Sequence, residues 1–100
     1  MDAVIEVFFE EAAELLADLE AGLLELEESP TDPELLNRVF RAAHTIKGNA
    51  GMLGFERIAH FTHRLESVLD ELRSGSRAAS ADIVDALLAA QDVLRRMLRA

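Results

Sequence analysis

The stretch Arg41-Ala42-Ala43-His44-Thr45-Ile46-Lys47-Gly48-Asn49-Ala50-Gly51 brings an imidazole, a primary amine and two glycines close together. A neutral imidazole nitrogen is nucleophilic near pH 7. Lys47, three residues on, places a cation beside any anion carried on the ring. Gly48 and Gly51, four and seven residues on, remove side chains that would flank it. A histidine in this setting can take up a phosphoryl group and pass it to a carboxylate of another protein. Both steps need the ring to enter a partner's active site. Phosphoryl transfer of this kind is mainly positioning plus charge stabilisation. The expectation is that His44 carries the group and Lys47 assists, with Gly48 and Gly51 giving clearance to the partner.

An exposed histidine on a helix is ordinarily a plain polar surface residue. Glycine inside an exposed helix costs about 1 kcal/mol relative to alanine, so Gly48 asks for a reason. Ending the helix is the competing one. That role suits Gly51 or Gly54 better, because Ala50, Met52 and Leu53 continue the apolar pattern.

A second group lies downstream, His63-Arg64-Leu65-Glu66. His63 and Glu66 are three apart and can interact on a helix. Glu66 sits at the edge of an apolar stripe, well placed to reach a neighbouring helix. A carboxylate accepting from one ring nitrogen of His44 would fix the tautomer and free the other nitrogen. The competing reading makes Glu66 an ordinary boundary residue. His60 reads as surface.

These residues need rigid elements to hold them. The spacing predicts four helices, over about residues 2–28, 33–52, 55–74 and 80–98, and no window alternates as a strand. The first carries Ile5, Phe8, Phe9, Ala12, Leu15, Leu16, Leu19, Leu23 and Leu26 on one stripe. Gly22 interrupts it, with close helix packing as the reason, and nothing explains Glu27 and Glu28 at the negative end. Both prolines of the chain, Pro30 and Pro33, fall in the following turn, with Asp32 as N-cap. The second helix turns Leu35, Leu36, Val39, Ala43, Ile46 and Ala50 inward. His44 then lies about 140° from the centre of that face, toward solvent. Asn37, Arg41, Lys47, Gly48 and Gly51 share its sector.

The third helix presents Ile58, Phe61, Leu65, Val68, Leu69 and Leu72, and Gly75 is its expected C-cap. Ser80 caps the fourth, whose apolar surface is Ile83, Val84, Leu87, Leu88, Ala90, Val93, Leu94, Met97 and Leu98. Short turns between four amphipathic helices imply an all-α, up-down antiparallel four-helix bundle.

One hundred residues suit one domain, spanning residues 1–100, and the absence of cysteine excludes a disulfide. No leader pattern and no membrane-spanning run is seen. A net charge of −9 argues against nucleic acid and anionic lipid as partners and permits a basic protein. The expected setting is cytoplasmic.

Phe40-Arg41-Ala42-Ala43-His44-Thr45-Ile46-Lys47-Gly48-Asn49-Ala50-Gly51, followed by Gly54-Phe55, resembles the histidine-containing phosphotransfer (HPt, P1) domain of CheA-type chemotaxis histidine kinases. Thr62-His63-Arg64-Leu65-Glu66 with Leu69-Asp70 resembles that domain's third helix. Phe8-Phe9-Glu10-Glu11-Ala12 and Leu15-Leu16-Ala17-Asp18-Leu19-Glu20 resemble its first. The likeness runs from about Asp2 to Leu98.

It implies that His44 is phosphorylated on the nitrogen far from the backbone. Lys47 would lie near the phosphoryl group. Glu66 would hold the other ring nitrogen, and His63 would join that network. It implies a separate ATP-binding kinase domain as donor, acting in trans within a dimer, and response regulators of the CheY and CheB type as acceptors. ATP and magnesium would belong to that kinase domain, leaving no cofactor or metal in this one and no kinase machinery of its own. The isolated domain is expected to be a monomer. A fifth helix, frequent in the family, has no counterpart in this stretch. Asn49 stands where a second glycine is common.

Two other readings compete. One is an HPt-like bundle that only docks or dimerises without being phosphorylated. The other is a metal site of His44, His60 and His63. It is the weaker, because His60 and His63 lie about 60° apart on their helix and no Glu-x-x-His pair is present.

Overall fold

Each helix starts and stops for a local reason. In the computed structural model, which describes residues 2–99, α1 spans Ala3–Leu26. The Asp2 carboxylate caps it, accepting from the Val4 amide at 2.9 Å. The helix stops two residues before the expected end. Glu27 and Glu28 lie in the exposed turn toward Pro30, which has no amide hydrogen and disfavours a helical residue before it.

α2 spans Pro33–Met52. Asp32 caps it by accepting from the amides of Glu34 (3.0 Å) and Leu35 (3.4 Å), with Pro33 in the first turn. Gly48 and Gly51 are inside the helix, so neither ends it. Gly54 does the turning, at φ 83°, and the Phe55 amide then reaches back to the Ala50 carbonyl at 2.9 Å. α3 spans Glu56–Ser74 and ends at Gly75, φ 84°. α4 spans Ala81–Arg99. The Ser80 hydroxyl accepts from the Ile83 amide at 3.3 Å.

The helices form an all-α up-down antiparallel bundle. α1 packs on α2 and α4, α3 packs on α2 and α4, and the α2–α3 interface is the most extensive. Leu16, Leu19, Leu23, Leu26, Val39, Ile46, Leu69, Val84 and Leu94 are fully buried in the core. Every inward position expected of α2 is buried, and Ala42 joins them. Gly22 permits the close crossing of α1 and α2. A Cβ there would lie 2.5 Å from Val39 Cγ1. Arg38 fastens the same crossing, bonding Asp18 at 2.7 Å and Glu25 at 3.0 Å.

α4 is buried on a narrower stripe than its sequence suggests. Only Val84, Leu87, Gln91 and Leu94 are buried, while Ile83, Leu88, Ala90, Val93, Met97 and Leu98 are half-buried. Gln91 stands in the core because α1 supplies a partner. Its amide donates to Glu20 at 3.1 Å, and Arg95 bonds the same carboxylate at 3.2 Å. At the end of the bundle near the α2–α3 turn, Phe8 stacks on Phe55 at 5.3 Å and Phe9 closes in edgewise.

Candidate functional site

The α2–α3 pair builds the site. Val39, Ala43, Ile46 and Ala50 pin one face of α2 to the core, which rotates His44 outward. Its side chain is 57% exposed. On α3, Leu65 and Leu69 anchor the helix so that Glu66, between them, points at α2. Glu66 is buried, at 7% exposure. A buried carboxylate is costly unless paired and hydrogen-bonded. Here Glu66 Oε2 contacts His44 Nδ1, and Oε1 accepts from Lys47 Nζ at 2.8 Å.

Burial pushes the Glu66 carboxyl up. The hydrogen bonds from Lys47 and His44, with the charges of both, outweigh burial and hold it below the usual carboxylate range. An ionised carboxylate can only accept, so the proton of the contact belongs to His44 Nδ1. In the neutral ring the lone pair then sits on Nε2, which meets no hydrogen-bond partner among the described residues. A buried acid thus sets the tautomer of an exposed base.

The other expected residues fall around this pair. Lys47 is half-buried and turned toward Glu66, so in this state it neutralises the carboxylate rather than projecting freely beside the ring. His63 is 60% exposed, with Nδ1 at 3.6 Å from Glu66 Oε1. That is longer than a hydrogen bond, and the oxygen it faces is already taken by Lys47. Gly48 and Gly51 border open space: a Cβ at either would meet nothing within 4 Å. Neither glycine is required by the packing of the bundle. His60 is exposed and outside these contacts. Among the described residues no group of three or more His, Cys, Asp or Glu is arranged to hold a metal ion.

Two residues enter that the sequence did not single out. The Phe40 ring lies beside His44, with centroids 5.8 Å apart and planes 15° apart. Arg73 of α3 places its guanidinium carbon 3.8 Å from the Phe40 ring centroid. Phe40 was legible in principle, four residues before His44 on one face. Arg73 was not, because its approach depends on the α2–α3 register.

The profile of the Hpt domain family matches residues 3–100. The chain belongs to the Hpt domain family. Chemotaxis protein CheA of Salmonella typhimurium is 45% identical over 95 residues, covering 95% of this chain and 14% of that protein. The Rhizobium meliloti CheA is 42% identical over 100 residues, covering 100% of this chain and 13% of that protein. The chain therefore spans about a seventh of the length of the curated relatives it matches.

Among solved structures, the CheA phosphotransferase domain from Thermotoga maritima superposes with a TM-score of 0.91 at 40% identity, covering 99% of this chain and 96% of that one. The phosphorylated P1 domain of CheA3 from R. sphaeroides, solved in complex with CheY6, gives a TM-score of 0.90 at 32% identity. There the coverage is 99% of this chain and 77% of that one. Among the described residues, no helix is long and apolar enough to cross a membrane.

Proposed function

We propose that this domain is the phosphoryl carrier of a CheA-type, two-component chemotaxis kinase, acting in the cytoplasm. His44 Nε2 attacks the γ-phosphorus of ATP held, with magnesium, by a separate kinase domain. An N–P bond forms, the P–O bond to the β-phosphate breaks, and its electron pair leaves with ADP. The ring becomes cationic as that bond forms, and the Glu66 carboxylate against Nδ1 stabilises the charge. In the second step an aspartate oxygen of a CheY- or CheB-type response regulator attacks the same phosphorus. The N–P electron pair then returns to Nε2. Lys47, one helical turn from His44, turns from Glu66 toward the bound phosphoryl group. Gly48 and Gly51 leave room for the partner's walls.

The observation that carries this reading is the division of labour on one ring. Nδ1 is held by a buried carboxylate, while Nε2 has no hydrogen-bond partner among the described residues on a largely exposed side chain. The fold's likeness to a P1 domain that is itself phosphorylated and bound to CheY6 supports it. The test is incubation with a CheA-type kinase domain and labelled ATP. Wild type should take up label that survives base and is lost in acid, and His44→Gln should take up none. Label in His44→Gln would refute His44 as the carrier, and none in wild type would leave only an unphosphorylated docking role.

A further inference from the structure

We infer that Phe40 is a positioning residue for transfer at His44, held in place by Arg73 and Asp70 from α3. The inference rests on the phosphoryl-carrier reading and adds to it a determinant of where Nε2 points.

A single contact at Nδ1 fixes one atom of the imidazole. The ring can still hinge about that contact and swing Nε2 through an arc. In-line attack tolerates little of this, since a misplacement of about 1 Å can cost about a hundredfold in rate. The second restraint has to act on the ring plane. Phe40, one helical turn earlier, presents a face 15° from parallel to the imidazole at 5.8 Å between centroids. Offset stacking at this distance is favourable for aromatic pairs.

Phe40 is in turn constrained. Arg73 lies over its ring at 3.8 Å, within cation–π range. Asp70, one turn back on α3, holds the Arg73 guanidinium at 2.6 Å. Arg73 is an exposed residue, where a long side chain would otherwise spend its rotamer freedom in water. The chain Asp70–Arg73–Phe40–His44 therefore runs from α3 back to the reacting ring. It reaches that ring by its face, as Glu66 reaches it by its edge. A phenylalanine serving the core alone needs neither a parallel imidazole nor a guanidinium above it.

Three variants test this: Phe40→Leu, which keeps apolar bulk without a flat face; Phe40→Tyr, which keeps the face; and Arg73→Met. Thermal unfolding checks the fold of each. Proton NMR of the His44 ring reads the stack directly, without any phosphorylation. Phe40→Leu should lose the ring-current shift of the imidazole protons, and Phe40→Tyr should retain it. With a CheA-type kinase domain, ATP, and this domain as the varied substrate, Phe40→Leu should lower kcat about three- to tenfold at unchanged KM. Phe40→Tyr should restore it.

Wild-type kcat and unchanged imidazole shifts in a folded Phe40→Leu would overturn the inference. So would a loss that appears only in KM. Should Phe40→Leu fail to fold, Arg73→Met decides, because that side chain is exposed. It should lower kcat and broaden the Phe40 and His44 ring signals, and no change in either overturns the inference. Absence of label in wild type would instead strike the carrier reading, leaving the NMR result to stand or fall separately.

Discussion

Replacing Gly48 by alanine should make the domain more stable and a worse phosphoryl carrier. Gly48 lies inside α2, where alanine is favoured over glycine by about 1 kcal/mol. The added Cβ would meet no atom within 4 Å, so no packing penalty offsets that gain. In a domain of this size, about 1 kcal/mol raises Tm by about 4–8 °C. The same methyl would stand one turn beyond His44, in the space through which, in the proposed function, a partner brings a phosphorus or an aspartate.

Uptake from the kinase domain and discharge to a response regulator should therefore both slow, by about tenfold or more, and further in Gly48→Val. Circular dichroism melting measures the first effect, and single-turnover transfer of labelled phosphate the second. A small phosphodonor such as phosphoramidate supplies the control, because it needs no protein-sized clearance. Its reaction with His44 should be little changed. Wild-type transfer rates in Gly48→Ala would refute the clearance argument. A fall in Tm would refute the geometry on which it rests.

The same substitution at Gly22 should act in the opposite direction, lowering Tm by several degrees, because its Cβ would lie 2.5 Å from a β-branched valine with little freedom to move. Glu66→Gln keeps the volume but removes the charge that supports a cationic His44 ring and pairs with Lys47. Labelling from the kinase domain should slow by about tenfold or more. Because the Glu66 carboxyl is held below its ordinary value in the folded state, its stabilisation is complete above the unfolded value of about 4.5. It is lost as pH falls through the lower, folded value, so acid titration of stability should be steeper below about pH 4.5 in wild type than in Glu66→Gln. Asp32→Ala removes the acceptor for two amides at the start of α2 and should cost about 1 kcal/mol in urea unfolding, with His44 labelling unaltered.

Much of the fold could be read from local chemistry. Asp2, Asp32 and Ser80 mark helix starts, Gly75 marks a stop, and the apolar stripes give four amphipathic faces. What stayed hidden depends on contacts between helices. Gln91 is buried because Glu20, far off in sequence, accepts from it, and nothing around Gln91 signals that partner. Thr62 is likewise buried, satisfied by donating to the Ile58 carbonyl at 2.6 Å, a bond any helical threonine can make. At the site, His44 and Glu66 were legible because one breaks a buried pattern outward and the other sits at a stripe's edge. The side-chain directions of Lys47 and His63 were not, because both compete for the same carboxylate oxygen and only geometry decides between them.

The side chains against the His44 ring, Glu66 and Phe40, and those that hold them, Lys47, Arg73 and Asp70, lie between Phe40 and Arg73, on two helices joined by the short turn Leu53-Gly54-Phe55. The reactive unit is thus a single helical hairpin, and α1 and α4 serve it as a clamp. Substitutions on the outer faces of the clamp can accumulate without disturbing the imidazole, its carboxylate or its aromatic support. A designer could move the hairpin onto another pair of supporting helices and expect the histidine to arrive already oriented.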